Sequence, residues 1–292
     1  MSKMKTEDNP LGTINVPTDE GPYTQLWKRC QRDSDDKIFY DRLEEIWGVR
    51  PNFEFIDRVA LHTAIYLDSY GNEPKYHITY QQGHLVYCLL RYYLRSQQHI
   101  EYFDIVEVGT ARGFTALCMA KALEDEGKKG TIHTIDILPH DKPIYWRSIG
   151  DVTGKKTRKE LLENWDDYLE RYIKFYCGSS LDVLPTINVP RIHFTFLDGS
   201  HDYAHVKNEL IYAWRKMTVG DVIVCDDVTE QKYPGIIRAV SEYEKETISF
   251  SCRLSGVEEN KGMPRRGFSF LYKVIDPDLF KKSALPPITK EK

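Results

Sequence analysis

The sequence predicts an α/β fold on an open, mostly parallel sheet with helices on both faces, and three observations carry that expectation. From about Tyr102 to Val228, strand-like and helix-like runs alternate, the pattern of parallel strands joined by crossover helices. Two strand runs end in acids: Ile192 to Leu197 leads into Asp198-Gly199-Ser200-His201, and Val222 to Cys225 into Asp226-Asp227. A third, Phe103 to Val108, enters the glycine-bearing turn Gly109-Thr110-Ala111-Arg112-Gly113-Phe114. In an open parallel sheet all three tips emerge at the carboxyl edge, where ligands bind.

The elements follow in order. Residues 1–36 are polar and carry three prolines, which reads as an irregular arm tied down by Tyr23 and Trp27. Residues 37–100 read as an N-terminal helical cap. A short helix spans Ile38 to Val49 and stops before Pro51. A second spans Phe53 to Tyr70, with Phe55, Val59, Ala60, Thr63 and Leu67 at helical spacing and Gly71 as its stop. A third spans Gln81 to Gln97 through Leu85, Cys88, Leu89 and Tyr92. The ligand-binding domain is assigned to 101–280 and a C-terminal tail to 281–292. One insertion, Leu138 to Lys156, breaks the alternation; its length suits a lid or a surface excursion. The basic run Lys155-Lys156-Thr157-Arg158-Lys159 reads as a solvated helix start. Asp202 to Met217 turns Val206, Leu210, Ala213 and Met217 to one face as a helix. A helix from Pro234 to Thr247 and strands Phe250 to Leu254 and Gly267 to Val274 complete the sheet.

Composition narrows the function. The 292 residues hold 44 acids against 40 bases, a net charge of −4, which argues against general nucleic-acid binding. No apolar run reaches the roughly 18 residues of a membrane span, and Met1 to Glu20 lacks the apolar core of a secretion signal. Six dispersed cysteines without a C-x-x-C pair suggest neither zinc nor a disulfide framework, so a cytoplasmic protein is expected. The arm and cap helices would suit a homo-oligomer.

The chemistry sits at the strand tips. The turn reads E-x-G-x-x-x-G, with Glu107 and Arg112 where a dinucleotide fingerprint would place glycine. It therefore favours S-adenosylmethionine, which has no pyrophosphate to cradle, over a nicotinamide cofactor. Strand Thr131 to Ile135 ends in Asp136, a carboxylate that can accept both ribose hydroxyls. Asp198, Asp226 and Asp227 converge with His201. Like charges at one strand end repel unless a cation or base neutralises them, and a set of oxygen ligands suits a hard divalent ion, magnesium by default.

On these residues the chain resembles the class I S-adenosylmethionine-dependent methyltransferases, over roughly Tyr80 to Val228. The resemblance implies a Rossmann-like, mostly parallel seven-stranded sheet. It implies that Glu107, Gly109, Thr110, Ala111 and Gly113 form the cofactor loop, that Asp136 binds the ribose, and that Ser179 or Ser180 after Gly178 touches adenine. Asp198-Gly199-Ser200-His201 with Asp226-Asp227 resembles the metal-dependent O-methyltransferases, nearest the macrocin and mycinamicin sugar branch. There Asp198, Asp226 and Asp227 would hold magnesium, with Asp198 also beside the cofactor, and His201 would be the base. Catechol-type relatives carry lysine at the His201 position. Thr79 to Leu85 is similar to the helix that covers the cofactor in those enzymes. The implied acceptor is a hydroxyl of a small sugar or natural-product molecule. A metal-independent N- or O-methyltransferase, a nicotinamide-dependent oxidoreductase and a non-catalytic scaffold that keeps the cofactor pocket remain alternatives.

Overall fold

The computed structural model describes residues 34–67, 75–77, 80–148, 154–229, 232–247, 249–257 and 266–274. Most of the expected arm and the whole expected tail lie outside these residues.

Helix α1 (Ser34–Trp47) closes at Gly48, whose φ of 63° is left-handed and whose amide bonds Glu44 O at 2.8 Å. Helix α2 (Phe53–Thr63) begins at Asn52, whose side chain caps it by accepting the Phe55 amide at 3.2 Å. It ends well short of the expected Tyr70. Ala64 turns extended (φ −55°, ψ 138°), and Ile65-Tyr66-Leu67 become strand β1 (Ile65–Leu67), antiparallel to β2 (Lys75–His77). A β-branched and aromatic triplet suits a strand, and pairing with β2 supplies hydrogen bonds that a longer helix would have supplied locally. Helix α3 (Tyr80–Ser96) packs closely on α4 (Phe114–Asp125): a Cβ on Gly83 would meet Phe114 Cζ at 2.3 Å.

The remaining strands are β3 (Tyr102–Val108), β4 (Lys129–Asp136), β5 (Ile173–Cys177), β6 (Phe194–Leu197), β7 (Val222–Cys225), β8 (Ser249–Val257) and β9 (Arg266–Lys273). They form one seven-stranded sheet in the order β5-β4-β3-β6-β7-β9-β8. β4 pairs parallel with β5 and β6 with β7, whereas β9 is antiparallel to both β7 and β8. This is the mostly parallel, Rossmann-like α/β sheet that the alternation predicts.

Chain contacts divide the protein into two compact units, residues 1–103 with 107–179 and residues 104–106 with 180–292. In the first, α4 is buried at Ala116, Leu117, Met119, Ala120 and Leu123. Between β4 and β5 run the 138–156 insertion, the short α5 (Arg158–Leu161) and α6 (Asp166–Tyr172). In the second, every residue of β6 and β7 is buried, as strands covered on both faces must be. Its helices are α7 (Ser180–Val183), α8 (Tyr203–Lys216) and α9 (Pro234–Glu246). On α8 the face carrying Val206, Leu210 and Ala213 is the buried one. The four described cysteines are free, and no described helix is long and apolar enough to cross a membrane.

Candidate active site

In the first unit the turn after β3 is held by backbone. Gly109 N and Thr110 N both donate to Ile135 O, at 2.8 and 3.3 Å, and Gly113 N donates to Thr110 O at 2.7 Å. Gly109 and Gly113 take φ of 98° and 87°, and Ala111 φ of 44°. At Gly113 glycine is also required by space, since a Cβ would lie 2.6 Å from Leu162 Cδ1. Glu107 is fully buried beneath the turn; the Thr134 hydroxyl donates to its Oε2, and Thr134 Oγ1 lies 2.5 Å from Thr110 Oγ1. Burial, opposed by Thr134, pushes the Glu107 carboxyl up to about 8. Its Oε1 is buried with no partner, an acceptor that an ammonium-bearing ligand such as S-adenosylmethionine would satisfy. Asp136 lies at the tip of β4: Oδ2 accepts Ala111 N at 2.6 Å and Oδ1 accepts Leu138 N at 2.7 Å.

The basic run differs from its reading as a solvated helix start. Thr157 and Glu160 do form a capping box, but Arg158 is wholly buried. Its Nε donates to Ala111 O at 3.0 Å and its guanidinium lies over the Trp146 ring, 5.0 Å from the centroid. Those aromatic and backbone partners offset the cost of burying the cation. The insertion is tied down as well. Ile144 bridges Lys156, Trp146 Nε1 donates to Lys156 O at 2.8 Å, and Arg112 Nε donates to Trp146 O at 2.7 Å. Trp146 is a packing residue, 2% exposed; residues 149–153 are outside the described set.

In the second unit, the β6–β7 register sets Leu197 opposite Cys225, so the two acidic tips leave the sheet side by side. Asp198, His201 and Asp227 each offer a ligand atom within 4.8 Å of the others'. His201 Nε2 is 3.1 Å from Asp227 Oδ2, and its ring stacks on Tyr233 with centroids 3.9 Å apart and planes 20° apart. Gly235 seats α9 against this loop, because a Cβ there would lie 2.7 Å from His201 O. Asp227 holds φ of 56°, a left-handed conformation that Asp tolerates better than most side chains. Asp226 is 1% exposed and its Oδ1 accepts the Asp227 amide at 2.6 Å; it is not one of the three residues whose ligand atoms cluster. It does line a small cavity with Asp198, His201 and Glu209.

Ser180 opens α7, where its hydroxyl donates to Glu209 Oε1 at 2.5 Å. Burial raises the Glu209 carboxyl, and Oε2 has no partner. Other nearby side chains are structural. Asp202 caps α8 through Ala204 N and His205 N and pairs with His205. Tyr203 bonds Glu242, and Trp214 packs edge-on to Tyr243. Thr134, Glu209 and Tyr233 are not singled out by the sequence, and Arg158 stands out there only as part of the basic run; their roles depend on partners distant in the chain.

A glycine turn over a buried acid, an acid at the tip of the next strand, and a mostly parallel sheet closed by an antiparallel strand are together the arrangement expected of a class I S-adenosylmethionine-dependent methyltransferase. Residues 106–228 match the model of the methyltransferase domain family, so this segment is a methyltransferase domain. No curated protein matches the chain in sequence. Among solved structures it is similar to a candidate O-methyltransferase from Klebsiella pneumoniae, at 17% identity and a TM-score of 0.52 over 86% of this chain and 100% of that one. An O-methyltransferase from Bacillus cereus, solved with S-adenosylhomocysteine, gives 17% and 0.52 over 81% and 97%. The O-methyltransferase NovP gives 17% and 0.52 over 82% and 100%. At such identities the likeness establishes the fold.

Proposed function

We propose that this methyltransferase moves the methyl group of S-adenosylmethionine to a hydroxyl oxygen of a small molecule of sugar or natural-product type. The observation that supports it best is the contact between His201 Nε2 and Asp227 Oδ2 at 3.1 Å, with Asp198 in the same cluster. An alcohol is a poor nucleophile while it keeps its proton, so transfer to oxygen calls for a base. Donating Nε2–H to Asp227 leaves His201 Nδ1 as the nitrogen that takes the proton, with Asp227 steadying the charged ring. The side chain is 41% exposed, within reach of an acceptor.

The donor set fits a divalent cation, with Asp198 and Asp227 as its ligands and Asp226 next to them. All are oxygens, which favours magnesium. Such an ion, when bound, would make an acceptor hydroxyl more acidic. Glu107, Gly109, Thr110, Ala111, Gly113 and Asp136 would bind the cofactor, with Ser179, Ser180 and Asp198 at its margins. A metal-independent enzyme is the second reading, favoured by a cluster of ligand atoms that holds Asp198, His201 and Asp227 but not Asp226. We take the protein to act in the cytoplasm on a freely diffusing acceptor, since a net charge of −4 offers no field for nucleic acid.

The test is calorimetric titration of S-adenosylmethionine with and without magnesium, followed by transfer assays on hydroxylated sugars after chelation. Loss of turnover with chelator and its return with magnesium supports the metal reading. Full activity after chelation selects the metal-free one. Absence of cofactor binding overturns both.

A further inference from the structure

We propose that Arg158 is a positioning residue of the cofactor site, gripping through their carbonyls the same two residues whose amides orient Asp136. Ala111 donates its amide to Asp136 Oδ2 at 2.6 Å, and Ala111 O accepts Arg158 Nε at 3.0 Å. Leu138 donates its amide to Asp136 Oδ1 at 2.7 Å, and Leu138 O accepts Arg158 NH2 at 3.4 Å. One planar guanidinium therefore holds, through the following peptide units, both residues whose amides fix the carboxylate, one in the cofactor turn and one at the start of the insertion. Its NH2 is also 3.9 Å from Asp136 Oδ2, close enough to add charge without replacing either amide.

The guanidinium is itself held in place. It is 0% exposed and lies over the rings of Trp146 and Phe175, 5.0 and 5.6 Å from their centroids. The Arg158 amide bonds His140 O at 3.2 Å, anchoring the backbone from which the side chain reaches. A lysine would present its donors from one nitrogen on a flexible stem and lacks the planar fork that stacks on both rings, so it would not reproduce this geometry. Burying an arginine is costly unless partners offset it, and here two carbonyls, two rings and the nearby Asp136 carboxylate do so in part. The orientation of Asp136 matters because a ligand diol has to meet both of its oxygens in one plane.

This inference rests on Asp136 taking the cofactor ribose, and the experiment separates the two ideas. S-adenosylmethionine affinity is measured by calorimetry for Arg158→Met, Arg158→Lys, Asp136→Asn and the Asp136→Asn/Arg158→Met pair, with thermal unfolding alongside. Asp136→Asn alone reports on the ribose assignment; if it binds like wild type, that assignment and this inference both fall. With Asp136→Asn weakened, Arg158→Met and Arg158→Lys should each lose roughly tenfold, and the double variant should bind no worse than Asp136→Asn. Such non-additivity is the signature of acting through Asp136, which a general loss of stability does not produce. Wild-type affinity in both Arg158 variants, or losses that multiply in the double variant, overturns the proposal. Should Arg158→Met not fold, Arg158→Lys takes its place in the cycle.

Discussion

His201 Nε2 lies 3.1 Å from Asp227 Oδ2, and the two residues follow the ends of neighbouring parallel strands. The pair is thus assembled by sheet register, 26 residues apart in sequence. Loss of either partner should affect proton removal while leaving the glycine turn intact. His201→Ala should lower single-turnover methyl transfer roughly a hundredfold or more, and Asp227→Asn should fall in the same direction. Cofactor affinity measured by calorimetry should stay near wild type in His201→Ala. Normal transfer by His201→Ala would remove the base assignment.

Glu107 gives a prediction with a definite sign. Its carboxyl stands at about 8 in the folded protein against 4.5 as the ordinary value. Between these two pH values the folded state keeps a proton that the unfolded chain has released, so stability falls as pH rises through that window. Below it both states are protonated and the effect vanishes. Glu107→Gln imitates the neutral acid. Without cofactor, its unfolding free energy should match wild type near pH 4.5 and exceed it increasingly toward pH 8, by an amount on the order of a few kcal/mol at most, with the melting temperature moving in the same direction. A constant difference across the range would show that Glu107 does not titrate as its burial implies.

Gly113 is fixed both by its backbone and by its neighbour. With φ of 87° and a Cβ position 2.6 Å from Leu162 Cδ1, alanine there meets conformational strain and a clash together. Gly113→Ala should destabilise the protein by about 1–3 kcal/mol, read by denaturant unfolding, and weaken cofactor binding by distorting the turn. Leu162 is fully buried, so Leu162→Ala is costly alone, but it should cost less in the Gly113→Ala background than in wild type because the clash is relieved. Strictly additive losses would assign the whole effect to φ.

Much of the sheet is legible in the sequence, and so is the place of the candidate residues in each unit, because strand tips carry their chemistry in sequence. The Val222–Cys225 strand was read with its observed bounds, and the glycine turn, Asp136, Asp198, His201 and Asp227 occur in the expected order along the sheet. What escaped depends on direction and distance. Asp227 meets His201 from a left-handed backbone conformation just past the end of β7, which the strand pattern of the sequence does not announce. Arg158 reads as a surface charge because its partners, the carbonyls of Ala111 and Leu138, are 47 and 20 residues away. The helix after Phe53 was drawn too long because Leu67 keeps helical spacing, while the pairing that competes with it comes from Lys75–His77.

Gly267 extends the argument to a residue with no chemistry of its own. It stands near the start of β9, and its carbonyl accepts Val228 N at 2.8 Å. A Cβ there would lie 2.2 Å from Val228 O and 3.0 Å from Val228 C. Both are backbone atoms, so no side-chain rotation relieves the contact and the 227–229 turn itself has to move. Asp227 is the preceding residue and already holds φ of 56°, a conformation maintained by its surroundings. Gly267→Ala should therefore shift the Asp227 carboxylate relative to His201 and lower methyl transfer roughly tenfold or more, since small displacements of reacting groups cost rate steeply. Calorimetric affinity for S-adenosylmethionine should change far less, because the glycine turn and Asp136 belong to the other unit. A variant that transfers normally would mean that β9 does not set the position of Asp227.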